Sequence, residues 1–196
     1  ILWRALQVAN PNVRRNAATL FVEAFPLQDT SMPAVELDST LQMQFDSLGR
    51  ILKDDAVGVR VVAVHGVCRI LTLFWELIPA ATTKALLATL VRDLAHDAAA
   101  NTVRVAVLHG IKYLLTQNGS VACVAALKTC LAPLGTLLND GSERVRAAYL
   151  ELLLAIAKVR TLNWQAVVKP EALLARLPIE RAELQMRLTR LLLPLY

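Results

Sequence analysis

The feature that most constrains the fold of this chain is a Val-Arg pair that follows an Asp or Asn and precedes small apolar residues, a motif that recurs four times. A Val-Arg pair stands at Val13-Arg14, Val59-Arg60, Val103-Arg104 and Val145-Arg146. Successive pairs are 46, 44 and 42 residues apart, and the second and third copies share six of thirteen positions without a gap. Regular spacing of this kind predicts one structural unit repeated along the chain.

Each Val-Arg pair opens a segment in which apolar residues recur every three or four positions, as at Val59, Ala63, Val67 and Ile70. That spacing is typical of a helix with one buried face. Other helical segments precede the second, third and fourth pairs, at about 38–53, 79–95 and 120–138. A shorter one lies near 163–177 and is interrupted by Pro170. Because no run alternates with a period of two, strands are not expected. We therefore predict an all-α fold.

Repeats of roughly 40 to 47 residues built from helix pairs are typical of HEAT and armadillo arrays. The prediction is one α-solenoid segment over 1–196 with about four to five HEAT-type pairs, the last a degraded copy near Leu184. We call the first helix of each pair the A helix and the second, which carries Val-Arg, the B helix. The approximate repeats are 1–25, 38–75, 79–117, 120–160 and 163–194, with an inter-repeat loop at 26–37.

The composition limits the class of protein. The chain is 56% hydrophobic and 19% charged, which excludes disorder, and it has no uncharged apolar run long enough for a membrane span. Its three cysteines, an odd number without a CxxC pair, are expected to be buried apolar residues of a protein from a reducing compartment. Because the chain starts with Ile1 and not with Met, we expect it to begin within a longer protein.

The sequence contains no motif for catalysis or for binding a cofactor. It lacks a nucleophile elbow, a phosphate-binding glycine loop and a zinc-protease motif, so we expect no enzymatic activity, no cofactor and no small-molecule substrate. His65 and His109 suggest a metal site at first, with Cys68 near His65. However, they occupy the same position in successive repeats, so we interpret them as part of the repeat packing, in which the small size of Gly66 and Gly110 permits close helix contact.

The arginines of the Val-Arg pairs are expected to have a structural role. Each can pair with an acidic or amide residue before its helix, or with the corresponding residue in the next repeat, in a ladder that fixes the stacking. The predicted ladder residues are Arg14, Arg60, Arg104, Arg146, Asp54 and Asp140.

The net charge of +5 is unevenly distributed. The B helices and their first turns carry thirteen basic and six acidic side chains, whereas the rest of the chain carries eight and ten. An excess of positive charge on one face favours an anionic partner. Because the aromatic residues do not alternate with the bases, contact with the backbone of a DNA duplex is expected. The candidate DNA-facing or partner-facing residues are Arg15, Arg69, Lys112, Lys158, Arg160 and Arg190.

Several runs resemble one family, the G-type non-SMC subunits of condensin II. These runs are Val13 to Pro26, Phe74-Trp75-Glu76 with Pro79, Leu94 to Asp97, and Asp140 to Arg146. The resemblance extends over essentially the whole chain, and its first run is the most distinctive.

This resemblance implies a nuclear, chromosomal, non-enzymatic scaffold. Such a subunit is expected to bind the kleisin and other condensin II subunits, to contact double-stranded DNA, and to act in mitotic chromosome condensation. An alternative is a HEAT or armadillo scaffold of another kind, such as a transport receptor or a phosphatase scaffold, that binds acidic peptides.

Overall fold

The computed structural model describes residues 1–28 and 33–195, and the elements in these ranges are helical. The α-helices are α1 (Leu2–Ala5), α2 (Pro11–Ala24), α3 (Ala34–Leu52), α4 (Val57–Leu73), α5 (Ala80–Ala88), α6 (Asn101–Gln117), α7 (Val121–Cys130), α8 (Glu143–Ala157), α9 (Pro170–Arg176) and α10 (Ala182–Leu192). Single turns of 3-10 helix connect several of them, including Trp75–Leu77 and Trp164–Ala166. The all-α prediction is confirmed.

The helices form two layers. The B helices α2, α4, α6, α8 and α10 pack side by side in chain order, each against the next. The A helices α3, α5, α7 and α9 lie on the other side and contact one another far less, mainly between α5 and α7. The B layer is therefore the more closely packed of the two layers.

Two A helices differ from their predicted bounds at the ends. Helix α3 begins at Ala34 and not at the predicted position 38. Pro33 stands at its N-cap, and Glu36 lies in its first turn, where a negative charge is favourable. One helix was predicted over 79–95, but α5 ends at Ala88. It is followed by a π-helical turn at Thr89–Asp93 and a 3-10 turn at Leu94–His96.

The fourth A helix is also divided. The prediction of one helix over 120–138 was wrong, because α7 ends at Cys130 and a 3-10 helix, Ala132–Asn139, follows at an angle of 59°. Pro133, near the start of this second piece, cannot donate the hydrogen bond that would continue α7. Among the described residues no single helix could cross a membrane, although this bent pair would reach the length and composition jointly.

The predicted loop at 26–37 is shorter than expected, because its last residues belong to α3. Residues 29–32 lie outside the described residues. The preceding segment is held by Gln44, a fully buried side chain of α3: its Oε1 accepts a hydrogen bond from the Leu27 amide at 2.8 Å, and its Nε2 donates to the Leu27 carbonyl at 2.8 Å.

One apolar core runs the length of the described array, from Ala18 to Leu192. Two glycines allow the B helices to approach closely. A Cβ atom at Gly66 would collide with Val22 on α2, and one at Gly110 would lie 2.5 Å from Cys68 Sγ on α4. Each glycine is therefore needed for the contact with the preceding B helix.

Candidate binding surfaces and the arginine ladder

Each Val-Arg arginine is the fourth residue of its B helix and forms an ion pair with an acid of the next repeat. The closest N–O distances are 2.7 Å for Arg14–Asp54, 2.8 Å for Arg60–Asp97, 2.8 Å for Arg104–Asp140 and 2.7 Å for Arg146–Glu180. The side chains of these pairs are between 3% and 16% exposed. We call this row of four pairs the ladder.

The aspartates of the ladder also organise the turn before their own B helix. Asp54 accepts a hydrogen bond from the Ala56 amide, Asp97 from the Ala99 and Ala100 amides, and Asp140 from the Ser142 amide. These are side-chain caps of the kind that aspartate favours before a helix.

The arginines close the connection from one repeat to the next. Arg60 donates to the main-chain carbonyl of Asp54 at 2.8 Å, Arg104 to that of Asp97 at 2.6 Å, and Arg146 to that of Asp140 at 2.8 Å. Each aspartate thus binds the arginine of the previous repeat through its carboxylate and the arginine of its own repeat through its carbonyl. An unbroken chain of hydrogen bonds therefore joins Arg14 to Glu180.

The electrostatics follow from this arrangement. The hydrogen bond from Arg14 lowers the pKa of Asp54, outweighing its partial burial. Burial raises the pKa of Glu180, but hydrogen bonds from Arg146 and Arg176 lower it by more, so that its pKa lies below the usual value. Asp54 and Glu180 are therefore held in the charged form that pairs with the guanidinium groups.

Asp97 and Glu180 were not among the predicted ladder residues. In the sequence, Asp54 stands six residues before Arg60, and Asp140 stands six residues before Arg146. Asp97 stands seven residues before Arg104, so it departs from this spacing by one residue. In the fifth repeat Gln185 occupies the arginine position and donates to the Leu177 carbonyl, so the ladder ends at Glu180.

Of the six candidate DNA-facing residues, Lys112 is already engaged. Its Nζ lies 2.6 Å from Glu151, which also pairs with Arg187 at 3.0 Å. Arg69 donates one hydrogen bond to the Val22 carbonyl at 3.1 Å and is otherwise exposed. The remaining four, Arg15, Lys158, Arg160 and Arg190, are exposed, and within the described ranges they form no ion pair.

The candidates do not lie together on one surface. Arg15 is the fifth residue of α2, so it lies at the N-terminal edge of the B layer. Lys158 and Arg160 follow the end of α8, Arg190 is in the last turn of α10, and Arg69 is close to the end of α4. The B layer therefore separates Arg15 from the other exposed bases, which share its C-terminal edge.

His65 and His109 border a surface cavity of about 420 Å³ on the B layer, together with Cys68, Lys112 and Glu151. Burial and the neighbouring His109 lower the pKa of His65. Within the described residues no cluster of histidine, cysteine and acidic side chains has the geometry of a metal site.

The three cysteines are free thiols, and Cys68 and Cys123 are buried. Burial raises the pKa of Cys68 to about 12 and those of Cys123 and Cys130 to about 11. The thiols are therefore protonated and behave as small apolar groups, as the sequence suggested.

The fold is similar to that of two engineered proteins of known structure. The first superposes with a TM-score of 0.58 at 17% identity over 97% of this chain and 76% of that chain. The second gives 0.54 at 18% identity over 97% and 78%. At these identities the likeness establishes the fold alone, an α-solenoid.

Sequence relatives identify the family. A family model described as "Condensin II non structural maintenance of chromosomes subunit" matches residues 1–29. Over 98% of its length the chain is 38% identical to condensin-2 complex subunit G2 of Xenopus laevis and 36% identical to that of Homo sapiens. The chain spans 16% of the length of either relative. It therefore belongs to the family of G-type non-SMC subunits of condensin II, of which it represents one stretch of the solenoid.

Proposed function

We propose that this chain is a non-enzymatic HEAT-repeat scaffold segment that binds the kleisin subunit, double-stranded DNA or both, in a condensin II complex. It acts in mitotic chromosome condensation in the nucleus, together with the other condensin II subunits. The observation that carries the proposal is the ladder. By linking each repeat to the next from Arg14 to Glu180, it holds a long surface in one shape.

The DNA-binding part of the proposal rests on the C-terminal edge of the B layer. Lys158, Arg160, Arg190 and Arg69 are exposed there, and their charges are not neutralised by a described acid. Exposed bases on a rigid edge suit the phosphate backbone of a duplex, which is recognised by charge and spacing more than by sequence. Lys112 contributes less, because Glu151 neutralises it.

The names of the relatives favour this function over a transport receptor or a phosphatase scaffold. The absence of a recognisable catalytic motif in the sequence agrees with a scaffold, and a screen for hydrolase and transferase activity tests that part separately.

The direct test is fluorescence anisotropy with a labelled random duplex of roughly 30 base pairs over a series of salt concentrations. The measurement is made with and without the kleisin peptide of the same complex. We expect affinity to fall steeply with salt and to increase when the peptide is present. Salt-independent or undetectable duplex binding in both conditions would exclude DNA contact by this stretch, and the failure of a labelled kleisin peptide to bind the chain would exclude kleisin binding.

A further inference from the structure

A surface groove lies on the A side, away from the ladder and the basic edge. It has a volume of about 740 Å³ and runs between α5 and α7. Its apolar base is formed by Trp75, Ile78 and Leu87, of which Ile78 and Leu87 are buried.

Small side chains keep the groove open. Ala88 on α5 faces Ala122 and Ala126, which are one turn apart on α7. Because an alanine extends no further than its Cβ, two helices lined in this way leave space for the side chains of another segment. The groove is thus a gap between two ordered helices and not a loop that could close over it.

The charge along the groove is predominantly positive. Lys84 on α5 and Arg92 on the π-helical turn that follows α5 both line the groove. Neither side chain forms an ion pair with a described residue. Arg92 lines the groove together with Cys130 of the facing helix α7. Glu76 is the single acid among the lining residues.

The groove continues around the turn between α4 and α5. Trp75 and Glu76 also line an adjoining cavity of about 370 Å³ with Leu73 and Leu77. Leu73 is 54% and Leu77 is 38% exposed, so both present apolar surface at this cavity. The two cavities together offer an apolar track, with basic residues on its α5 wall.

We infer that this groove is a docking site for a linear peptide segment that carries both acidic and large apolar side chains. The apolar side chains fill the space between Leu87 and Ala126, and the carboxylates pair with Lys84 and Arg92. This site is separate from the B-layer edge proposed to contact DNA, so it gives the scaffold a second partner on its A side.

The test uses three fluorescein-labelled peptides of equal length, measured by anisotropy against the 196-residue chain. In the first, Glu and Leu occur at helical spacing; in the second, Lys replaces Glu; in the third, Ser replaces Leu. We expect the Glu/Leu peptide to bind and the other two to bind at least about tenfold more weakly, since each lacks one half of the complementarity.

Two variants locate the site. Lys84→Glu combined with Arg92→Glu reverses the charge, and Ala126→Trp fills the groove, so each should weaken binding of the Glu/Leu peptide at least about tenfold. Lys128→Glu is the matched control, because Lys128 is exposed on α7 but does not line the groove, and it should leave binding unchanged. Circular dichroism establishes that each variant retains its helix content.

The inference fails if the Glu/Leu peptide does not bind, or if it binds both groove variants as well as it binds the original chain. It also fails if the charge reversal abolishes binding of a labelled duplex while leaving the peptide unaffected, because the groove would then serve nucleic acid. Since duplex binding is measured on the same variants, failure of this site and failure of the proposed DNA edge are distinguished.

Discussion

The guanidinium group of Arg60 lies 2.8 Å from the carboxylate of Asp97, which is 37 residues later in the chain and belongs to the next repeat. The side chains are 11% and 8% exposed, so each charge has lost most of its contact with water. Asp97 still accepts two amide hydrogen bonds from its own turn, whereas the guanidinium supplies its charge balance. Buried pairs of this kind are costly to break because one charge is left uncompensated.

Arg60→Met is therefore expected to lower the free energy of unfolding by about 2–4 kcal/mol. Methionine retains an apolar side chain of similar length, so the loss is chiefly that of the charge that balances Asp97. Urea unfolding followed by circular dichroism measures it. Arg181→Met is the control, since the Arg181–Glu143 pair is 83% and 41% exposed, and it should leave the midpoint unchanged. Equal effects of the two substitutions would contradict a stabilising role for the ladder.

The ladder should also make stability depend on pH in the acid range. The folded-state pKa of Glu180 lies below its unfolded value, so its contribution is complete above about pH 5 and is lost as the pH falls through the lowered pKa. Glu180→Gln is expected to lower Tm at pH 7, and the difference from the original chain should shrink towards about pH 3. Thermal melts across this range test it, with Glu171→Gln on the surface as control. A difference that stayed constant with pH would exclude Glu180 as the source.

Two glycines in helices should respond oppositely to alanine. Gly66→Ala is expected to destabilise the chain by about 1–3 kcal/mol, because the new Cβ collides with Val22. Gly49→Ala should stabilise it by roughly 0.5–1 kcal/mol, since nothing lies within 4 Å of the added Cβ and alanine favours the helix.

The collision also predicts a rescue. Val22→Gly removes the Cβ and both methyl groups that a Cβ at Gly66 would meet, so the pair Val22→Gly with Gly66→Ala should be more stable than the sum of the single losses predicts. Denaturation of the four proteins gives this coupling directly. Additive losses would show that Gly66 matters for a reason other than contact with α2.

The basic edge makes a prediction about duplex binding. Lys158→Ala with Arg160→Ala should weaken the binding of a labelled duplex and reduce the salt dependence by about two phosphate contacts. Lys112→Ala should have a smaller effect, because Lys112 is paired with Glu151 at 2.6 Å. Anisotropy titrations at several salt concentrations compare them. A larger loss for Lys112→Ala would move the DNA surface to the centre of the B layer.

The repeat spacing predicted the class of fold, since a motif recurring every 42 to 46 residues leaves few alternatives to stacked helix pairs. The breaks in the A helices were less predictable. Pro133 gave a visible signal, but nothing in Thr89–Asp93 distinguishes a π-helical turn from a regular one, because that turn is set by packing. Asp97 was missed for a related reason: its ladder position depends on the path of the turn and not on a fixed offset from Arg104. Charge alone likewise could not show that Lys112 is neutralised by an acid on a different helix.

The unequal packing of the two layers has a mechanical consequence. The B layer is continuous and cross-linked by ion pairs, so it resists extension, whereas the A layer has a gap between α5 and α7. Bending therefore takes place about the B layer, and a change in curvature widens or narrows the groove between α5 and α7. A segment wedged between α5 and α7 would set the local bend of the solenoid, and tension along the array would in turn alter how strongly the segment is held.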